Sequence, residues 1–142
     1  MKISGSQRLP FPPEQSYALM QDPAVLARAI PGCQSLERTG ENEYRMKMKM
    51  ALAAFSGAFE GQVRISEQQP PSSFRLEVEG SGKIGFVKGG GVLKLEPSEA
   101  ETMVHYDGDV QVGGTIAAVG QRLIEGAAKS MIQRFFEKLA AS

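Results

Sequence analysis

The sequence contains a single cysteine, Cys33, and a single histidine, His105. One thiol cannot form an internal disulfide, and it cannot supply the several cysteine ligands of a structural zinc site. A metal site built from several histidines is also excluded, because the sequence has only one histidine. We therefore expect a fold that is stabilised without disulfides and without metal ions.

The sequence also lacks an excess of one charge and any long apolar run. Its 16 basic and 16 acidic residues cancel, and like charges do not cluster, so nucleic acid is not an expected partner. The amino terminus has no hydrophobic signal core, and no stretch of about 18 apolar residues could cross a bilayer. We expect a cytoplasmic protein that forms one domain over residues 1–142.

The run from Tyr44 to Leu52 alternates apolar and cationic side chains through Met50. A period of two is typical of a β-strand with one buried and one exposed face, so the apolar members should point inward together. Those members are Tyr44, Met46, Met48, Met50 and Leu52. Methionine is unbranched and polarizable, so three on one face would form a deformable apolar wall for variable hydrophobic partners. An ordinary packed core is the alternative interpretation.

Turn residues divide the rest of the chain into short elements. Residues 2–9 predict a first strand, and a short helix is predicted from about Pro13 to Met20. Asp22-Pro23 predicts the start of a second short helix, which Pro31-Gly32 ends. Further strands are predicted near residues 34–39, 43–54, 58–67, 73–80, 83–95 and 101–112. Short turns between consecutive strands predict an antiparallel meander.

The period changes after Gly113-Gly114. From Thr115 to about Ala140, apolar residues recur at steps of three and four, which predicts one long amphipathic helix. Small residues dominate its first half, and a glycine inside a helix costs about 1 kcal/mol against alanine. Gly120 and Gly126 therefore suggest that space is kept there, whereas bulky residues in the second half would seal one end.

This order of elements predicts an α+β helix-grip fold. A curved antiparallel seven-stranded sheet would wrap around a long C-terminal helix, with two short helices after strand 1. A cavity is expected between the inner face of the sheet and that helix. The residues expected to line it are Tyr44, Met46, Met48, Met50, Phe59, Phe74, Phe86, Tyr106, Ile116, Val119 and Leu123. A buried tyrosine hydroxyl needs a hydrogen-bond partner, which a bound carbonyl, the backbone or water could supply.

Three further features fit structural roles better than chemical ones. Gly80 to Gly85 matches G-x-G-x-x-G, but the helix that a dinucleotide site requires does not follow, so bends in strands are expected. His105 shares strand parity with outward-facing residues, and no serine or cysteine nucleophile is evident beside it, which favours a surface histidine over a catalytic base. Cys33 is expected to be a small buried thiol at a corner.

Several segments of the chain carry a family resemblance. They are Asp22-Pro23, Ile30-Pro31-Gly32-Cys33, Val112-Gly113-Gly114, Val119-Gly120-Gln121-Arg122-Leu123-Ile124 and Phe135-Phe136. Together they resemble the CoxG family, the G subunit of carbon monoxide dehydrogenase, within the START-like, birch-allergen-like (SRPBCC) superfamily. The resemblance implies a non-enzymatic accessory protein of molybdenum hydroxylases of the carbon monoxide dehydrogenase type. It also implies a role in bringing those enzymes to the membrane and in handling the quinone that accepts their electrons.

Three functional hypotheses follow. In the first, the cavity takes an isoprenoid quinone or similar lipid, no cofactor is bound covalently, the partners are molybdenum hydroxylase subunits, and peripheral contact with the inner face of the membrane stays open. In the second, the protein is an assembly or interaction factor for such an enzyme and has a solid core. In the third, it is a START-like cyclase or hydrolase. Catalysis would need ionisable groups that converge inside, and strand parity places no aspartate, glutamate or histidine there.

Overall fold

The structure is a computed structural model that describes residues 1–52 and 55–142. Within this part of the chain the strands are β1 (Lys2–Leu9), β2 (Cys33–Gly40), β3 (Glu43–Leu52), β4 (Phe55–Gln69), β5 (Ser73–Gly82), β6 (Gly85–Ser98) and β7 (Glu101–Gly113). The α-helices are α1 (Pro13–Gln21), α2 (Pro23–Ala29) and α3 (Gln121–Ala140), and Thr115–Val119 forms a 3-10 helix. The predicted order of elements is confirmed. The strand predicted near 43–54 ends in Ala53 and Ala54, which lie outside the described residues.

The strands form a seven-stranded antiparallel sheet in the order β1-β7-β6-β5-β4-β3-β2. Strands β2 to β7 follow one another as a meander, while β1 pairs with β7 at the far edge. Glycines allow close approach where the sheet bends, because a Cβ on Gly91 would lie only 2.6 Å from the carbonyl oxygen of Asp107. Gly82 pairs with Gly85 across the β5–β6 hairpin. A strand therefore follows the G-x-G-x-x-G segment, where a dinucleotide site would need a helix.

The core covers one face of the sheet. Along β3, Tyr44, Met46 and Met48 are buried and Met50 is half-buried, while the cations between them are exposed. The predicted alternation of this strand is therefore confirmed. Other buried apolar residues of the sheet are Ile3, Leu9, Phe59, Val63, Ile65, Phe74, Leu93, Leu95 and Val104.

The predicted helix start at Thr115 is wrong. The chain first forms the 3-10 helix, and α3 begins only after Gly120, whose φ of 96° and ψ of 156° lie outside the helical region. Glycine adopts this conformation without the steric cost that a side chain would carry. Gly120 thus separates two helical segments and does not keep space inside one helix. Gly126 does lie within α3, and a Cβ added there would meet nothing within 4 Å.

Helix α3 packs unevenly along its length. Its buried residues, Phe136 and Leu139, both lie in the second half, where they are 3% and 0% exposed. Leu123, in the first half, is 51% exposed. The second half of α3 therefore anchors the helix, and the first half leaves apolar surface uncovered.

Candidate ligand-binding site

The corner between α2 and β2 fixes the position of the end of β3. Asp22 caps α2 by accepting a hydrogen bond from Ala24 N at 2.9 Å, and the chain turns at Pro31-Gly32. The carbonyl oxygen of Gly32 then accepts a hydrogen bond from Lys49 N at 2.9 Å. Gly32 has a φ of +78°, and a Cβ there would collide with the carbonyl oxygen of Lys49. Only glycine therefore allows this corner to hold the strand so closely.

A cavity of about 280 Å³ opens between this corner, the end of β3 and the middle of α3. We call it the helix–strand cavity. Its lining residues are Pro31, Gly32, Lys49, Met50, Ala51, Leu52, Ala127, Ser130, Met131 and Arg134. The cavity lies at one end of the methionine strand, and Ala127 is the lining residue that comes from the predicted small-residue half of the helix.

The helix–strand cavity has an apolar wall and a cationic rim. Met50 and Leu52 from β3 and Met131 from α3 are half-buried, so their side chains pack on the core and still reach the cavity. Arg134 is exposed and supplies the cation, whereas the Lys49 side chain points to the outer face of the sheet. None of the described residues that line the cavity is a carboxylate. The arrangement suits a ligand with an apolar body and a polar or anionic end.

Most of the predicted lining residues lie deeper, in the packed core. Met46 and Met48 are 1% and 7% exposed, and Tyr44, Phe59, Phe74 and Ile116 are buried as well. Tyr106 and Val119 are half-buried. The ring of Tyr106 lies over Gly5 on β1, because a Cβ added to Gly5 would lie 2.5 Å from the tyrosine oxygen. Of the predicted set, Met50 lines the helix–strand cavity.

Two predicted lining residues lie outside the interior. Phe86 is 46% exposed, and its ring covers Gly113, its partner on β7, on the outer face of the sheet. The neighbouring Val87 faces the core instead, so the parity of β6 excludes Phe86 from the cavity. Leu123 lies on the apolar stripe of α3, one turn before Ala127, but it is exposed to solvent.

Sequence reasoning missed the cavity residues outside the alternating strand. Arg134 lies seven residues after Ala127, which places both on one face of α3 and could have been read from helical periodicity. Pro31 and Gly32 were recognised as a corner, but only the folded chain brings them beside β3. Met131 is one of the bulky residues in the second half of the helix, which the sequence predicts to seal one end of the cavity. In the structure it lines the helix–strand cavity.

The outer face of the sheet carries a second concave region, of about 460 Å³, which we call the outer groove. It is lined by Gln62, Arg64, Arg75, Glu77, Val78, Glu79, Lys88, Gly89, Gly90, Asp109 and Gln111. The strand register places Gly90 between Glu77 and Asp109, and the missing side chain at Gly90 leaves room between their carboxylates.

The outer groove carries charges of both signs. Arg75 Nε donates a hydrogen bond to Glu77 Oε1 at 3.0 Å, which lowers the pKa of the Glu77 carboxyl. Basic and acidic side chains both line the outer groove, whereas no described residue that lines the helix–strand cavity is acidic.

His105 faces outward, as predicted, but it has a serine beside it. Ser6 Oγ lies 2.7 Å from His105 Nδ1, and Glu96 Oε2 lies 2.8 Å from His105 Nε2. The expectation that no serine accompanies His105 is therefore wrong, because β1 pairs with β7 and places Ser6 opposite the histidine. Both partners are exposed on the outer face.

Cys33 lies at the start of β2, where its thiol donates a hydrogen bond to the carbonyl oxygen of Ser35 at 3.5 Å. The thiol is half-buried, and this burial raises its pKa. A neutral thiol is a weak nucleophile, so the site does not resemble that of a reactive cysteine.

The fold and the cavity define the class of the protein. A curved seven-stranded sheet, two short helices after β1 and a C-terminal helix across the inner face constitute the helix-grip fold of the birch-allergen-like, START-like proteins. Residues 5–142 match the family model of CoxG, the G subunit of carbon monoxide dehydrogenase. The chain belongs to the CoxG family.

Solved structures support this assignment at two levels. A conserved protein from Geobacillus kaustophilus is 34% identical, has a TM-score of 0.95, and the match covers 99% of this chain and 93% of that chain. Two more distant structures share the fold alone. Ara h 8.0201 is 14% identical with a TM-score of 0.67, and the match covers 99% of this chain and 95% of that chain. The Zhui aromatase/cyclase from a Streptomyces species is 9% identical with a TM-score of 0.67, and the match covers 99% of this chain and 92% of that chain. No match was found among curated proteins. In residues 1–52 and 55–142, no helix is long and apolar enough to cross a membrane.

Proposed function

We propose that this protein is a non-enzymatic binding and accessory protein that holds an apolar ligand, an isoprenoid quinone or another lipid, against α3 at the helix–strand cavity. The observation that carries the proposal is the uncovered apolar surface there. Leu123 is exposed, and Met50 and Met131 line an open cavity. Apolar surface of this kind gains about 25 cal/mol for each Å² that a ligand removes from water.

The partner in this proposal is a molybdenum hydroxylase of the carbon monoxide dehydrogenase type. Membership of the CoxG family supports that association, since the family is named as a subunit of this enzyme. A quinone carrier beside such an enzyme would exchange its ligand at the inner face of the membrane. The cytoplasmic location remains a prediction.

The proposal is tested by asking what the purified protein carries. Lipids extracted from the native protein are identified by mass spectrometry, and Tm is measured with menaquinone and with ubiquinone. We expect a co-purified apolar molecule, or a rise in Tm with at least one quinone, because a ligand that binds only the native state stabilises it. Absence of both results contradicts the proposal.

A matched pair of variants locates the site. Ala127→Phe places a ring in the helix–strand cavity, whereas Gln133→Phe adds the same ring to an exposed position of α3 that does not line it. We expect the first variant to lose ligand retention and the second to keep it. Equal retention in both would place the ligand elsewhere.

An assembly factor with a solid core is the second candidate function. The burial of Met46 and Met48 favours it, because the centre of the methionine strand is filled by protein side chains rather than by an open tunnel. In that case the outer groove is the natural docking surface. Lys88→Glu should then abolish a complex with the cognate hydroxylase and leave ligand retention unchanged, whereas the carrier hypothesis predicts that Ala127→Phe is the damaging change.

A further inference from the structure

The charges around the helix–strand cavity differ from those of the whole chain. The chain carries 16 basic and 16 acidic residues, and most described ion pairs join neighbouring groups on the sheet surface or along α3. Arg134 lines the cavity, and among the described residues it takes part in no ion pair. Lys49 also borders the cavity, but the alternation of β3 turns its side chain toward the outer face of the sheet. The cavity rim is thus a local excess of positive charge.

The backbone at the same rim is also open. Strand β2 pairs with β3 only as far as Cys33 and Met48, and the last contact on that side is the hydrogen bond from Lys49 N to the carbonyl oxygen of Gly32. The segment from Lys49 to Leu52 therefore borders the cavity beyond the end of its neighbouring strand. Polar backbone, the Ser130 hydroxyl and the Arg134 guanidinium are therefore available to a ligand in an otherwise apolar space.

Apolar surface continues from the cavity along α3. Ala127 and Met131 line the cavity, and Leu123 lies one turn earlier on the same stripe with half of its surface exposed. The cavity volume of about 280 Å³ is just below the range of roughly 300–1,000 Å³ that is common for small-molecule sites. A linear chain could fill the cavity in part and lie along this stripe, with Met50 and Met131 adapting to its shape.

We propose that the helix–strand cavity binds an amphiphile with one apolar chain and an anionic carboxylate or phosphate headgroup, which Arg134 binds. The proposal rests on the proposed function and narrows its ligand class to an anionic lipid, in place of the neutral quinone. Arginine suits this role because its planar guanidinium can donate two parallel hydrogen bonds to a carboxylate or phosphate.

The test compares ligands of equal chain length on delipidated protein by isothermal titration calorimetry. The probes are oleate, oleoyl lysophosphatidic acid, the neutral oleyl alcohol and inorganic phosphate. We expect at least one of the two anionic lipids to bind ten-fold or more tightly than oleyl alcohol at low salt, and inorganic phosphate not to bind. The stronger of the two lipids identifies the source of the headgroup.

Variants identify the cation. Arg134→Gln should reduce the preference for the anionic lipid to less than three-fold. Lys49→Gln should leave it unchanged, because the alternation of β3 turns that side chain toward the outer face of the sheet. Arg122→Gln, which removes an exposed cation of α3 outside the cavity lining, should leave it unchanged. Raising the salt concentration should also weaken binding of the anionic lipid to the native protein, because ions screen exposed charges. Tm of each variant confirms that it is folded.

The outcomes separate the two levels of the proposal. If oleyl alcohol or menaquinone binds as tightly as the anionic lipids, or if Arg134→Gln behaves like Arg122→Gln, the anionic headgroup is refuted and the apolar carrier stands. If inorganic phosphate binds as tightly as the lipids, the site is one for a free anion and the amphiphile is refuted. If neither any lipid nor any quinone binds, the carrier function itself fails.

Discussion

At the scale of single residues, the three methionines of β3 show that one sequence pattern can place equal side chains in unequal surroundings. Met46 is fully enclosed, Met48 is nearly so, and Met50 reaches the cavity. The alternation with lysine predicts that all three face inward, but it cannot predict how far the packing of the opposite helix extends along the strand. The deformable wall expected from the sequence is thus limited to its last member and to Met131 across from it.

Truncation of these methionines should separate stability from binding. Met46→Ala should lower the free energy of unfolding by about 2–5 kcal/mol, because it leaves a cavity in a packed core. Met50→Ala should cost less than half as much and should weaken ligand binding more, because its side chain is only half-buried. Urea unfolding and the calorimetric titration check both effects. Equal stability losses would show that the native protein is packed as tightly at Met50 as at Met46.

Cys33 gives a prediction that depends on pH. Burial raises the pKa of its thiol above the ordinary value of 9.0, so the folded protein keeps it protonated at a pH where the unfolded chain ionises. The corresponding contribution to folding is fully present below pH 9 and falls as the pH rises through and above that value. Labelling with a thiol reagent at pH 8 should be slow in the native state and fast in guanidinium chloride. Fast native labelling would mean that the corner at Pro31-Gly32 opens readily.

At the scale of elements, periodicity predicts the order of strands and helices well and predicts the start of α3 poorly. Apolar spacing continues smoothly from Ile116 through Leu123, so nothing in the pattern reveals that Gly120 adopts a φ of 96°. Glycine is compatible with both a helix interior and a break, and the choice depends on the backbone between β7 and α3. Likewise, Phe86 is apolar but follows a tight hairpin whose register places it on the outer face.

Two glycine substitutions test the corrected boundary of the helix. Gly126→Ala should raise the free energy of unfolding by about 0.4–1 kcal/mol, because the site is helical and open and alanine restricts the unfolded chain. Gly120→Ala should lower it by about 1–3 kcal/mol despite equal space, because a side chain is strained at that φ. Thermal or urea unfolding of the pair provides the comparison. If Gly120→Ala stabilises the protein instead, the result would support one continuous helix through residue 120.

At the scale of the whole molecule, the sequence predicts the fold and the family, while the position of the site depends on contacts between distant segments. Gly32, Lys49 and Arg134 come from three separate parts of the chain. A backbone hydrogen bond at the α2–β2 corner joins the first two, and the packing of α3 on the sheet brings Arg134 to the same cavity. The pairing of β1 with β7 is equally non-local, and it alone brings Ser6 to His105.

The Ser6–His105–Glu96 row allows a direct test of the non-enzymatic proposal. The side chains of His105 and Glu96 are 44% and 66% exposed, so water competes for their hydrogen bonds, and a serine there is weakly activated. Hydrolysis of a p-nitrophenyl ester by the protein should not exceed that of the Ser6→Ala and His105→Gln variants. Ester hydrolysis by the native protein that is lost in each of the two variants would contradict the carrier proposal and indicate a hydrolase.

The uneven packing of α3 has a consequence for the timescale of ligand exchange. A helix anchored by Phe136 and Leu139 at one end can separate from the sheet at the other end by local opening, which costs far less than global unfolding. Amide hydrogens near Leu123 should then exchange with solvent much faster than those near Leu139. Ligand uptake and release would be governed by the fraying of a few helical turns, and the residence time of the ligand could change without any change in the stability of the fold.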